Sequence, residues 1–500
     1  MNFLSTRGGM TGASAAQAIR MGIAPDGGLF TPATIPQLSS AQLREWQALS
    51  YQELAVRIIG LFLTDFTAAA LQPMVDAAYA YPSKWSDPKI TPVTKLADGE
   101  YVLELYHGPT CAFKDVALQL LPHLMTESGQ LVGDRDEIVI LVATSGDTGK
   151  AALEGFQDVP GTRIIVFYPE DGVSAIQKLQ MVTQEGANTA VVAVVGNFDD
   201  AQSGVKQIFT DPAMAAQLKA KSMSFSSANS INWGRLVPQI VYYFYGYYEL
   251  CQTGALTFGA SLNVTVPTGN FGNILAAYIA KEMGLPLGKL ICASNSNNVL
   301  ADFIQTGVYN RNRPFYTTVS PSMDILISSN LERLLYYLSG NNASQVGAWM
   351  EQLKRTGEYQ VDPVTAARIA NDFYGGYAGE AETLETIAQV FQTQHYLLDT
   401  HTAVGKAVAN RYRIATGDAA PNLLVATASP FKFNTSVLQA LVGAGAIDGL
   451  DEFALLEKLQ GVAGLTIPAG LRNLNQKPVL HKQVCAKEAM AETVVDILKV

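Results

Sequence analysis

Four short stretches of the chain hold residues whose types and spacing could do chemistry. The first is GNFGN, residues 269–273. It follows a β-branched apolar run and opens a helical pattern. Glycines there let backbone N–H groups approach an anion, and a helix start adds partial positive charge. A phosphate fits such a cup, although a plain strand-to-helix turn has the same pattern. No G-K-[ST] follows, so it is not a Walker loop. The missing G-x-G-x-x-G disfavours a dinucleotide. The second stretch is TSGDTG, residues 144–149. Its hydroxyls, glycines and N–H groups make a cup suited to a carboxylate. The alternative is a simple helix cap by Ser145 or Asp147.

The third stretch is ELYHGPTCAFKD, residues 104–115, with Lys114 ahead of the helical pattern VALQLLPHLM. A lysine on an apolar helix face usually snorkels to solvent. Desolvated, it has a lowered pKa and can form a Schiff base. The fourth is ATASPFKF, residues 426–433, where Thr427 stands at the carboxyl end of an apolar run. A hydroxyl there could reach a ring nitrogen of a ligand, but threonines at strand ends are common without such a role.

The elements that must position these residues repeat one unit: an apolar β-branched run, a small polar turn, then a helix. EIVILVA (Glu137–Ala143) leads into the TSGDTG turn, LNVTVPT (Leu262–Thr268) into GNFGN, and NLLVATA (Asn422–Ala428) runs into the fourth stretch. Further runs at TRIIVFYP (Thr162–Pro169), TAVVAVV (Thr189–Val195), residues 222–228 and residues 289–294 follow the same rule. Alternation of this kind predicts an α/β fold with doubly wound, mostly parallel sheets. Ligands of such sheets sit beyond the carboxyl ends of the strands, where the polar turns fall. Residues 1–95 are mixed and punctuated by Pro and Gly, and are expected to form an N-terminal lobe. A smaller lobe is expected over 96–260 and a larger one over 261–500. The larger lobe should carry a helical insertion at about 340–420 and a helical tail.

The 500 residues include 34 Lys+Arg against 44 Asp+Glu, a formal net charge of −10. That balance disfavours nucleic acid and anionic membrane as partners. Any anionic ligand must then meet a local cluster of donors. Four cysteines without a C-x-x-C pair predict neither a disulfide framework nor a structural metal site. No apolar run is long enough for a signal peptide or a membrane span, so the expected location is the cytoplasm.

A phosphate cup, a carboxylate cup, a buried-looking lysine and a strand-end hydroxyl together describe a pyridoxal-phosphate pocket. The motifs H-G-P-T-x-A-F-K-D, S-G-D-T-G, G-N-F-G-N and A-T-A-S-P-x-K-F, in this order, resemble the threonine synthase family, in its longer bacterial and fungal form. The likeness extends to STRGG (residues 5–9), APDGGLFTP (24–32), NSINWGR (229–235), ASNSNNVLADF (293–303) and SMDILISSNLERL (322–334). It implies a fold-type II pyridoxal-phosphate enzyme, tryptophan synthase β-like.

The resemblance also implies roles. Lys114 would carry pyridoxal 5′-phosphate and shuttle protons. Gly269, Asn270, Phe271, Gly272 and Asn273 would hold the cofactor phosphate, and Thr427 would meet the pyridine nitrogen. Thr144, Ser145, Gly146, Asp147 and Thr148 would surround the substrate. The implied reaction turns O-phospho-L-homoserine and water into L-threonine and phosphate. It requires a second anion site, for which Arg235, Ser328, Ser329, Asn330 and Arg333 are the candidates, an arginine fork being apt for phosphate. The resemblance favours a monomer or a weak dimer. The rival activities are a phospho-lyase releasing 2-oxobutyrate and a serine/threonine dehydratase-like enzyme. A non-catalytic scaffold is disfavoured by the retained Lys114.

Overall fold

Parallel strands covered on both faces must be apolar throughout rather than alternating. The runs EIVILVA, TRIIVFYP and LNVTVP meet that condition and are buried along most of their length. A computed structural model describes residues 1–144, 146–171 and 173–500; Ser145 and Gly172 lie outside the described residues. Among the described residues the larger sheet has six strands. Their order is Phe373–Tyr377, Leu287–Ser294, Leu262–Pro267, Asn422–Ala426, Glu100–Glu104 and Val93–Ala97. All neighbours are parallel except the last pair. The smaller sheet has five strands, all parallel, in the order Gln483–Ala486, Thr189–Val195, Thr162–Pro169, Glu137–Ala143 and Met223–Ser226.

One register matters most for the site. Asn422–Ala426 pairs in parallel with Glu100–Glu104 on one side and Leu262–Pro267 on the other. Their carboxyl ends therefore emerge side by side. The lysine stretch, the GNFGN cup and the Thr427 stretch each leave from one of these ends. Beneath them runs the helix Trp233–Gln252, buried nearly throughout; Tyr242, Tyr243, Tyr247 and Tyr248 on it are core residues.

The sheets divide the chain differently from the division at residues 95 and 260 expected from sequence. Val93–Ala97 and Glu100–Glu104 belong to the larger sheet, ahead of the whole smaller one. The last strand, Gln483–Ala486, closes the edge of the smaller sheet beside Thr189–Val195. The helix Met490–Leu498 then adds to that lobe's core, with Met490 and Val494 against Ile208 and Met214. The tail is thus not only helical. The expected helical insertion holds Ala343–Thr356, Pro363–Asp372, Glu380–Gln394 and Thr400–Thr416, yet FYGGY (Phe373–Tyr377) forms an edge strand of the larger sheet. Its glycines are needed there, because a Cβ on Gly375 would lie 2.7 Å from the Ala301 carbonyl.

The N-terminal segment is tied to the larger lobe by polar bonds that centre on Glu332. Phe3–Ser5 pairs antiparallel with Phe30–Pro32. Ser5 Oγ and the Gly9 and Gly28 N–H groups all donate to Asp26, which locks STRGG against APDGG. Arg7 donates to both carboxylate oxygens of Glu332, at 2.9 and 2.8 Å, and Thr6 Oγ1 donates to the same carboxylate. No helix among the described residues is long and apolar enough to cross a membrane.

Candidate active site

Lys114 opens the short helix Lys114–Leu118. The stretch before it is sewn to the neighbouring strand end. Phe113 N–H donates to Thr427 O at 2.8 Å, Ser429 N–H to Cys111 O at 3.0 Å, and Leu105 N–H to Ala426 O at 3.0 Å. These bonds set the lysine and Thr427 at one place. Asp115, fully buried, accepts from Thr110 N–H at 2.8 Å and Thr110 Oγ1 at 2.6 Å, which folds the HGPT turn back onto the helix. Burial outweighs those bonds and pushes the Asp115 carboxyl up to about 6.

The Lys114 side chain is 14% exposed, with Nζ 3.5 Å from Ser322 Oγ and 4.0 Å from Asp147 Oδ2. Burial pulls its ammonium below the ordinary lysine value. Asp147 opposes that shift, and the cations of Lys432 and Arg235 add to it. A lysine of this kind is a usable nucleophile and proton carrier.

The GNFGN stretch forms a cup at the start of the helix Gly272–Glu282. Phe271 holds the left-handed conformation at φ 64°, and no side chain caps the helix among the described residues. The first N–H groups of a helix have no partner within it, so they face the mouth of the cup. Gly269 is a cradle in the strict sense, because a Cβ there would lie 2.6 Å from Ser322 O. The cup is braced from behind. Asn273 Oδ1 accepts from Tyr242 Oη at 2.7 Å and from Tyr243 Oη. Asn273 Nδ2 is buried without a partner among the described residues. Ser328 Oγ donates to Gly269 O at 2.8 Å, and Asn330 N and Nδ2 each donate to Asn270 O at 3.1 Å.

Across from the cup, the loop after Glu137–Ala143 leads into the helix Asp147–Phe156. Thr144, almost fully buried, spends its hydroxyl on the loop itself, accepting from Gly146 N–H and Gly149 N–H at 3.0 Å. Its hydroxyl is engaged within the loop and shapes it. Asp147 Oδ1 accepts from Lys432 Nζ at 2.8 Å and Gln177 Nε2 at 3.2 Å. Burial alone would raise the Asp147 pKa, but Lys432 and then Lys114 hold it well below the usual carboxylate range. Thr148 is half-buried on the same turn. Ser145, expected to meet the substrate, lies outside the described residues.

The two candidate arginines part ways. Arg235, on the helix Trp233–Gln252, donates from one terminal nitrogen to Ala228 O at 2.6 Å, and its Nε has no partner among the described residues. It is close enough to act on the charge of Lys114. Arg333 is fully buried, and all three of its nitrogens are engaged: Nε with Phe30 O at 2.8 Å, the others with Asn330 Oδ1 and Ile231 O. Its fork braces the cup and the N-terminal strand instead of facing a phosphate. Ser328 and Asn330 are likewise committed to the cup, and Ser329 is half-buried beside them.

Sequence reasoning gave no role to three nearby groups. Lys432 carries the ion pair with Asp147 and also donates to Thr110 O at 2.9 Å. Ser322 lies over both Lys114 and Gly269. His401 Nε2 accepts from Ser322 N–H at 3.1 Å, while its Nδ1 lies 3.0 Å from Asp399 Oδ1. With Nε2 accepting, the proton is on Nδ1 and points to Asp399. The quoted motifs contain Lys432 and Ser322 as letters but not their contacts. His107, by contrast, is satisfied by Glu104 at 2.7 Å and Ser86 at 3.1 Å, as a structural histidine should be. Burial pushes the Cys111 thiol up to about 12, so it is inert.

An amine, an open N–H cup with a glycine cradle, an unpartnered buried amide and a strand-end hydroxyl fit pyridoxal phosphate, the amine for its aldehyde and the cup for its phosphate. Fold and site together define a fold-type II pyridoxal-phosphate-dependent enzyme. Comparison with known proteins agrees: residues 89–427 match the family described as pyridoxal-phosphate dependent enzyme. Residues 2–79 match the threonine synthase N terminus, and residues 402–488 the threonine synthase C-terminal family. The threonine synthase of Schizosaccharomyces pombe is 38% identical over 470 residues, covering 88% of this chain and 89% of that protein. Threonine synthase-like 1 of Macaca fascicularis is 41% identical over 435 residues, covering 85% of this chain and 58% of that protein, so the chain spans little more than half of that relative's length. The crystal structure of pyridoxal-phosphate-bound threonine synthase from Brucella melitensis superposes with a TM-score of 0.87 at 36% identity, covering 99% of this chain and 98% of that one. The chain belongs to the threonine synthase family.

Proposed function

We propose that the chain converts O-phospho-L-homoserine and water into L-threonine and inorganic phosphate. The observation that carries this reading is the convergence of Lys114, the uncapped cup at 269–273 and Thr427 at the ends of three adjoining strands. Bound there, pyridoxal phosphate supplies an electron sink that acidifies the carbon-bound protons of an amino acid. Lys114 Nζ, neutral more readily than an exposed lysine, moves those protons. Gly269, Asn270, Phe271, Gly272 and Asn273 hold the cofactor phosphate through backbone N–H groups. The Thr427 hydroxyl meets the ring nitrogen.

On the opposite side, Gly146 and Thr148 present the turn that binds the substrate carboxylate. Asp147 keeps that turn in place through Lys432. Arg235 is the group for the substrate phosphate, because part of its guanidinium is uncommitted among the described residues and it lies near Lys114. Four free thiols support a reducing compartment, in keeping with the cytoplasm as the location of the reaction.

The test loads the purified protein with pyridoxal phosphate, adds O-phospho-L-homoserine, and measures phosphate, threonine and 2-oxobutyrate together. Equal phosphate and threonine is the expected result. Phosphate with 2-oxobutyrate would replace the reading by a phospho-lyase. No phosphate would overturn the substrate assignment.

A further inference from the structure

Lys114 does not face Asp147 alone. Asp147 stands between two lysines: Oδ1 is 2.8 Å from Lys432 Nζ and Oδ2 is 4.0 Å from Lys114 Nζ. The Lys432 side chain is 1% exposed and that of Asp147 5%, so water screens neither. Lys432 is held by construction. It sits in the tight turn Pro430–Phe433, just after the Thr427 strand end, and its Nζ also donates to Thr110 O at 2.9 Å. Thr110 in turn is bonded to Asp115, the neighbour of Lys114. The second lysine is thus anchored to the same loop as the first.

The charges explain why two lysines are needed. A carboxylate 4 Å from an amine in a dry site stabilises the ammonium form and would silence it as a nucleophile. Asp147 is nevertheless required to fasten its loop. Pairing it with a second lysine, 2.8 Å away, offsets its charge as seen from Lys114. We propose that Lys432 is a positioning residue that occupies Asp147 and thereby keeps the Lys114 amine neutral enough to react. This rests on Lys114 being the reactive amine of the function proposed above. The other charged groups facing Lys114 are Arg235 from the helix Trp233–Gln252 and Asp115 on its own helix; Ser322 adds a neutral hydroxyl from the turn Pro321–Met323. None of them contacts Asp147 as Lys432 does.

The sign follows from the geometry. With Lys432 removed, Asp147 turns its charge on Lys114, whose amine then titrates at higher pH. With Asp147 neutralised, the Lys432 cation faces Lys114 unopposed, and the amine titrates at lower pH. The readout is the titration of the amine itself, which needs neither substrate nor turnover. The full chain, freed of cofactor, is treated with acetic anhydride at a series of pH values against a free amine standard. Acetylation of the Lys114 peptide is then quantified by mass spectrometry. Lys432→Met should raise the midpoint for Lys114 by about one pH unit or more, the size expected for a charge within 4–6 Å. Lys432→Arg, which retains the cation, should stay with the unsubstituted protein. Asp147→Asn should lower the midpoint. An unmoved midpoint in folded Lys432→Met, or an Arg variant that shifts as far as Met, overturns the proposal. If Lys432→Met does not fold, Asp147→Asn decides: a midpoint unchanged or raised overturns it. If the midpoints move as stated yet the unsubstituted holoenzyme makes no threonine from O-phospho-L-homoserine, the function proposed above fails instead.

Discussion

Asn273, behind the phosphate cup, accepts from two tyrosines; Asp147, across the site, accepts from a lysine. The cup is fastened by packing and by hydrogen bonds to neutral acceptors, with no ion pair among them. Tyr242 and Tyr243 hold Asn273, Asn330 holds the Asn270 carbonyl, and Phe271 packs on Phe373. The facing loop is fastened by charge, through Asp147 to Lys432 and, inside the loop, by the Thr144 hydroxyl. The difference fits the tasks. A phosphate binder must present its N–H groups unchanged whatever proton is moving nearby. The loop beside the reactive amine is fastened by a carboxylate, and Lys432 offsets the charge that this carboxylate would otherwise turn on the amine. A fold can satisfy both only by separating them onto two sheets.

The two arginines give the largest test of that division. Arg333 belongs to the wall of the cup as a brace to neutral acceptors, and its loss would strand those on Phe30, Asn330 and Ile231. Arg333→Met should cost about 3 kcal/mol of stability, seen as a fall of several degrees in the midpoint of thermal unfolding. Arg235→Met should cost much less stability and fall on the KM for the phosphorylated substrate. A stable Arg333→Met with a raised KM would return that residue to the substrate and break the comparison.

The next effect is local to the cup. Gly269 carries no Cβ because the Ser322 carbonyl occupies that space at 2.6 Å. Backbone cannot yield as a flexible side chain does, so Gly269→Ala should strain the cup by about 1–3 kcal/mol. Cofactor affinity, measured by absorbance titration of the apoprotein, should fall about tenfold or more. Affinity within twofold of the original would mean that the Ser322 turn moves freely and is no wall of the cup.

How far the sequence reaches can be argued from the same residues. The strands that place the site are legible because a strand buried on both faces needs an unbroken apolar run, and EIVILVA and LNVTVP are such runs. The turns after them are legible because glycine and hydroxyl residues have few other reasons to cluster there. FYGGY is not, since its glycines read as a helix end until the Ala301 carbonyl is seen pressing against them. QVCA is short, mostly exposed and joins a sheet about 290 residues earlier in the chain, so no local signal marks it. Arg333 in LERLL reads as a surface charge or a ligand, and Lys432 in SPFKF carries no local signal of a role. Only tertiary contacts decide between those readings and a buried brace. The Ser322–His401 bond spans 79 residues and has no local signature at all.

The smallest effects distinguish the two walls by pH. Tyr242 and Tyr243 are buried, and burial raises their pKa values well above 10, so both remain neutral through the working range. Tyr242→Phe and Tyr243→Phe should each cost about 1 kcal/mol. In urea titrations the loss should be the same at about pH 6 and about pH 9, since no proton is exchanged. Because both hydroxyls share one acceptor, the double variant should lose less than the two single losses together. Asp147→Asn should behave otherwise. The folded protein holds that carboxyl below its unfolded value of about 3.9. Its contribution is therefore complete above that pH and is lost as pH falls towards the folded value. The difference between Asp147→Asn and the original should hold steady from about pH 5 upward and shrink in stronger acid. A tyrosine variant whose loss also shrank in acid would show that the cup, too, is fastened by charge.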